Sequence, residues 1–121
     1  DEVSVTGNVD EFYGWLQIDT ISDFQVTGSG TVTPVVLNAE PSDWEMYESM
    51  LIDLQGVEIT AGPSTYNEYE TNMGLLIDDS IFATLPDNVS VGNTYNFTGV
   101  INYSYSQYRL NPRDNSDIVS Q

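Results

Sequence analysis

The sequence predicts an all-β fold, a small barrel or sandwich carrying one short helix, and three observations predict it. Apolar residues recur with a period of two, the alternation of a half-buried strand. Glycines at Gly7, Gly14, Gly28, Gly30, Gly56, Gly62, Gly92 and Gly99 punctuate these runs, as turns and bulges do. A stretch near the N-terminus recurs near the C-terminus, and such a repeat marks a structural unit used twice. A chain of 121 residues, 40% of them hydrophobic, has apolar material for one modest core and excludes two large domains.

Taken in order, the strands centre on Val3 and Val5, on Leu16 and Ile18, on Leu51, Leu54, Val57 and Ile59, on Leu76, and on Tyr95 and Phe97, with Thr, Asn or acidic residues between many of them. The segment 42–49 differs. Ser42 stands three residues before Glu45, a capping-box spacing, and the run lacks β-branched residues, so a short helix is expected there, with Trp44 and Tyr47 closing one end of a barrel.

The repeat lays residues near 1–26 over residues near 93–119. Val3-Ser4-Val5-Thr6-Gly7 matches Tyr95-Asn96-Phe97-Thr98-Gly99, and Tyr13-Gly14-Trp15-Leu16-Gln17-Ile18 matches Tyr105-Ser106-Gln107-Tyr108-Arg109-Leu110. Each copy ends in an acidic turn and a short strand, Asp23-Phe24-Gln25-Val26 and Asp117-Ile118-Val119. A glycine in mid-strand followed by an aromatic hairpin suits a strongly coiled strand bending round a small barrel.

Charge and missing residue types prune the functions. Nineteen acidic residues face only Arg109 and Arg113, leaving a net charge of −17 at pH 7. Nucleic-acid affinity comes mainly from Lys and Arg neutralising phosphates, so DNA, RNA and anionic membrane surfaces are not expected partners. With no Cys and no His, zinc, iron–sulfur, haem, thiol and Ser–His–Asp chemistry lack their ligands or bases. Paired carboxylates could hydrolyse glycosides. Asp78 and Asp79 are neighbours whose side chains point to opposite faces of a strand, however, and Glu68 and Glu70 share a face of an expected edge strand without a cleft. No enzyme is expected.

No apolar run approaches 18 residues and there is no basic leader, so membrane insertion is not expected. The abundance of Asn, Ser, Thr, Gly and Tyr fits an extracellular or cell-surface protein whose signal peptide has already been removed.

The run Tyr47–Ile52, Val57–Thr60, Tyr66–Glu70, Leu76–Asp79, Phe97–Tyr105 and Tyr108–Asp114, most specifically Thr98-Gly99-Val100 with Tyr103-Ser104-Tyr105 and Tyr108-Arg109-Leu110-Asn111-Pro112-Arg113-Asp114, resembles the OB-fold modules of secreted multidomain proteins of Bacteroidetes and related marine bacteria. These modules also accompany extracellular nuclease domains. The resemblance implies an OB-like barrel. It implies no nuclease chemistry, because that catalytic domain needs a histidine. In such modules a strand like Asp1–Gly7 belongs to the later half. The expected organisation is therefore a trailing half-module over 1–37, a connector with the short helix over 38–49, and an OB-like module over 50–121. The half-module is expected to dock on the full module, or to be completed by strands of another chain.

Candidate site residues follow. Trp15, Tyr103, Tyr105 and Tyr108 could stack on a sugar ring or base, or simply stabilise the hairpins as cross-strand pairs. Asp78, Asp79, Asp114 and Asp117 could offer calcium carboxylate oxygens, although no twelve-residue calcium loop is present. Thr20 and Ser80, in Asp19-Thr20-Ile21 and Asp79-Ser80-Ile81, resemble O-glycosylation sites of exported Bacteroidetes proteins. Asn88, Asn96 and Asn102 begin formal N-glycosylation sequons of low specificity. The functional expectation is a non-catalytic binding or spacer module whose partners are other domains of its parent protein or copies of itself. The alternatives are a self-assembling filament or surface subunit and a small carbohydrate- or calcium-binding module, with no cofactor beyond that calcium.

Overall fold

The computed structural model describes residues 1–81 and 89–121. The chain is all-β: β1 (Glu2–Phe12), β2 (Trp15–Gly28), β3 (Val35–Leu37), a 3-10 turn (Trp44–Tyr47), β4 (Leu51–Ala61), β5 (Tyr69–Thr71), β6 (Leu76–Ile77), β7 (Thr94–Ser104), β8 (Gln107–Asn111), a second 3-10 turn (Asn115–Asp117) and β9 (Ile118–Ser120). Seven strands form one sheet in the order β3-β4-β5-β6-β8-β7-β9, and pairing of β4 with β7 closes β4, β5, β6, β8 and β7 into a barrel. This is the OB-like small barrel the sequence predicts. β1 and β2 make a separate two-stranded sheet.

Alternation decides which side chains fill the barrel. Along β4, Ile52, Leu54, Val57 and Ile59 are fully buried, the change of parity between Leu54 and Val57 being absorbed by a bulge. There the amide of Gly56 donates to Asn96 Oδ1 at 3.0 Å, so the bulged backbone keeps a partner. Phe97, Ile101, Leu110 and Ile77 meet these residues from β7, β8 and β6. Trp44 joins the same core and satisfies its indole N–H on the Met73 carbonyl at 3.0 Å, with Tyr47 edge-on to it.

The helix expected over 42–49 is corrected to the four-residue 3-10 turn. Asp43, rather than Ser42, caps it by accepting from the Glu45 amide at 3.0 Å, and Ser49 ends the segment in the left-handed region at φ 63°. The edge position expected for Glu68 and Glu70 is also corrected. β5 lies between β4 and β6, and Glu68 precedes it.

The two hairpins pair in matching registers. β1 corresponds to β7, the first part of β2 to β8, and the last part of β2 to β9: Val9 pairs with Ile18 as Ile101 pairs with Leu110, and Val5 pairs with Phe24 as Phe97 pairs with Ile118. Both hairpins turn through two residues of positive φ, Tyr13 (51°) with Gly14 (89°) and Tyr105 (51°) with Ser106 (63°). That geometry matches the twist of the flanking strands. Gly7 and Gly99 also coincide. A Cβ at Gly99 would stand 2.5 Å from the Asn111 carbonyl oxygen, and one at Gly7 would stand 2.7 Å from that of Asp19. In both copies the partner strand crosses too closely for any side chain.

Candidate functional site

Two surfaces emerge from this architecture, and both involve the N-terminal hairpin. Period-2 alternation places Val3, Val5, Val9, Leu16, Ile18, Phe24 and Val26 on one face of β1–β2, while Ser4, Thr6, Asn8, Asp10, Gln17, Asp23 and Gln25 occupy the other. The apolar face lies open, with Val9 72%, Leu16 63% and Phe24 58% exposed. The corresponding residues of the second copy tell the opposite story, since Tyr95, Phe97, Ile101 and Leu110 are at most 1% exposed.

The hairpin touches the barrel near its tip. Tyr13 stacks on Tyr105 with ring centroids 5.0 Å apart. Gly14 lies against the Tyr103 ring so closely that a Cβ would come within 2.8 Å of it. The Leu16 backbone amide donates to the Glu48 carboxylate, which lowers the Glu48 pKa, but burial and the neighbouring Glu45 raise it more.

Between tip and barrel lies a cleft of about 380 Å³, lined among others by Phe12, Trp15, Ser80, Asn102, Tyr105 and Asn111. Asn111 is 2% exposed and its amide orientation is fixed, because Nδ2 donates to the Val100 carbonyl at 3.2 Å and to Asn102 Oδ1 at 3.0 Å. Among the described residues its Oδ1 is a buried acceptor without a hydrogen-bond partner, a group that costs free energy unless a donor reaches it. No local pattern announces this, since Asn111 sits in an ordinary strand-end run before Pro112.

The four aromatic candidates divide. Trp15, half-buried, and Tyr105, exposed, line the cleft. Tyr103 and Tyr108 instead face each other across the β7–β8 ladder with centroids 4.7 Å apart. The Tyr108 hydroxyl donates to Glu45 Oε2 at 2.7 Å, and that bond raises its pKa well above the ordinary phenol value.

The acidic candidates are not brought together, and among the described residues no group of three carboxylates could hold a metal. Each has another partner. Asp78 accepts from Ser80 Oγ at 2.6 Å and lies 3.7 Å from Arg109 Nε; Asp79 accepts from Asn67 at 3.0 Å. Asp117 holds Arg113 through both carboxylate oxygens, at 2.8 and 2.7 Å, raising the guanidinium pKa. Asp114 caps the second 3-10 turn, and its hydrogen bonds from Ser116 lower its pKa.

Arg109, unlike the exposed Arg113, is buried. Its Nε donates to Glu68 Oε1 at 2.8 Å, and Nη1 reaches the Ser104 carbonyl, Ser104 Oγ and the Gln107 carbonyl. Both positive side chains of the chain are therefore engaged in ion pairs.

Of the modification candidates, Thr20 sits exposed at a positive-φ kink in β2, with its amide turned onto Asp19 Oδ1. Ser80 is exposed and its hydroxyl is spent on Asp78. Asn96 and Asn102 accept hydrogen bonds within the fold, Asn102 being buried, and Asn88 lies outside the described residues.

Fold and surfaces define a class: a small OB-like β-barrel module bearing an amphipathic hairpin outside its own sheet. No protein-family model, curated protein or solved structure matches the chain.

Proposed function

We propose that the chain is a non-catalytic module of an extracellular or cell-surface protein that works by docking to other protein modules. The observation that carries this reading is the open apolar face of the β1–β2 hairpin, backed by a polar face. A contiguous apolar patch of this kind marks an interaction surface on a soluble protein. Among the described residues the outer edge of β1 pairs with no strand, so its N–H and C=O groups are able to accept a further strand. The acidic surface supports the reading too, since it repels polyanions and keeps the unbound module from aggregating.

Panning the full chain against a displayed library of short alternating apolar–polar peptides tests it. Binders enriched on the wild type and lost with Val9→Asp and Ile18→Asp are expected. A library that yields none retires the docking reading.

A second reading rests on the cleft at the hairpin tip. Aromatic walls from Phe12, Trp15 and Tyr105 beside the buried Asn111 acceptor suit a small neutral polyhydroxylated ligand, because apolar walls with a few fixed polar groups are how such sites orient ligands. A glycan array probed with wild type and Trp15→Ala decides it. Signal confined to the wild type supports the reading, and a blank array ends it.

A further inference from the structure

We infer that the β1–β2 hairpin is the closing half of a second barrel, and that its occupant is a three-stranded β segment of the β4–β6 kind belonging to a neighbouring sister module. The inference rests on the docking reading above and names the partner. The chain carries its own template, because the same two-stranded unit occurs twice, once covered and once open. In the covered copy β4 runs antiparallel along the free edge of β7, and β6 runs parallel along β8. Their side chains reduce Phe97, Ile101 and Leu110 to zero exposure. In the open copy Val5, Val9 and Ile18 occupy these positions.

A second copy of this chain does not supply the missing strands. Within the barrel one edge of β4 is taken by β7 and the other by β3 and β5, while β6 lies between β5 and β8. The occupant is therefore a different stretch of polypeptide with the same pattern.

The template fixes how it sits. Leu51, Ile52, Leu54 and Val57 pair with Val100, Gly99, Phe97 and Tyr95, so the occupant's first strand pairs in that order with Asn8, Gly7, Val5 and Val3. Leu76 and Ile77 pair with Arg109 and Leu110, so its third strand lies beside Gln17 and Ile18. Two differences specify its chemistry. Val3 and Val5 replace the larger Tyr95 and Phe97, so the facing residues must be bulkier than Leu54 and Val57 to fill a core of ordinary density. Gln17 replaces Arg109, so no carboxylate pair like Glu68 and Asp78 is required beneath it.

The test uses the chain's own strands as the probe. Residues 34–92 are placed a second time directly ahead of Asp1, which gives Asp1 the position that Asn93 holds in the barrel. A second version carries Val3→Tyr and Val5→Phe to restore the core volume of the template. In at least one of the two, hydrogen exchange of the β1 amides on the edge away from β2 is expected to slow by roughly two orders of magnitude. Binding of a hydrophobic dye should fall with it, and Val9→Asp should reverse both. The unextended chain is expected to sediment as a monomer at all concentrations, with those amides unprotected.

Two results overturn the inference: protection in neither extended chain, or self-association of the unextended chain with the same amides protected, which would assign the face to a second copy. If displayed peptides still bind the face when neither extended chain protects it, the docking reading survives and only the sister-module partner is lost.

Discussion

Arg109 is 7% exposed, and a buried guanidinium persists only where acceptors replace its water. Glu68, Asp78 and the carbonyls of Ser104 and Gln107 do so here. Replacing it as Arg109→Met strands the two carboxylates and is expected to cost about 3–5 kcal/mol. Chemical denaturation measures this, and a loss of under about 1 kcal/mol, the size of an exposed pair, would show that water screens the cluster. The sequence could not reveal this site. Residues 68, 78 and 109 are brought together by the antiparallel pairing of β5 with β6 and the parallel pairing of β6 with β8, contacts that no local period reports.

A second residue-scale expectation concerns Glu48. Burial and the adjacent Glu45 raise its pKa above the ordinary 4.5. A carboxylate whose folded pKa lies above the unfolded one binds its proton more tightly in the native state. Its stabilisation is therefore greatest below the unfolded value and is lost as pH rises through the folded value. Glu48→Gln should flatten that part of the stability profile between pH 4.5 and neutrality, as thermal melts at stepped pH would show. A variant that melts in parallel with the wild type over this range would contradict the raised pKa.

At the scale of elements, the two hairpins test how far sequence similarity carries structural weight. Gly7 and Gly99 both stand where a partner carbonyl leaves no room for a Cβ, yet only Gly99 lies in the barrel. Gly99→Ala is expected to destabilise the chain by about 1–3 kcal/mol, the usual size of overpacking. Gly7→Ala should leave the main melting transition within experimental error, because the hairpin can give way without disturbing the core. Equal losses in the two variants would mean that hairpin and barrel unfold as one unit. Strand existence was legible in the sequence because alternation survives whether or not a face is covered. Coverage itself was not legible, since Val5 and Phe97 stand in the same local pattern. The 42–49 segment shows another limit. A capping-box spacing announces the start of a helical turn, but only the tertiary docking of Trp44 and the left-handed Ser49 set where it stops.

For the whole molecule, the decisive feature is that the buried core is drawn entirely from Trp44 to Leu110. None of the apolar residues of β1 or β2 belongs to it, and exposed ones such as Val9, Leu16 and Phe24 each leave about 1.5–3 kcal/mol of burial unrealised. The hairpin therefore adds little to the burial that stabilises the barrel. Among the described residues its links to the barrel include the Tyr13–Tyr105 stack, the Gly14–Tyr103 contact and the Leu16–Glu48 bond, all of them on or near the tip. Deleting residues 1–28 should leave β3 to β9 folded, with a cooperative transition close to that of the full chain and far less hydrophobic dye bound. The negative charge of the remaining barrel keeps it soluble once the apolar face is gone. Circular dichroism melts and dye fluorescence on the two chains measure both effects. If the shortened chain loses its cooperative transition, the tip contacts are structural, and the hairpin is part of the fold rather than an appendage held out for a partner.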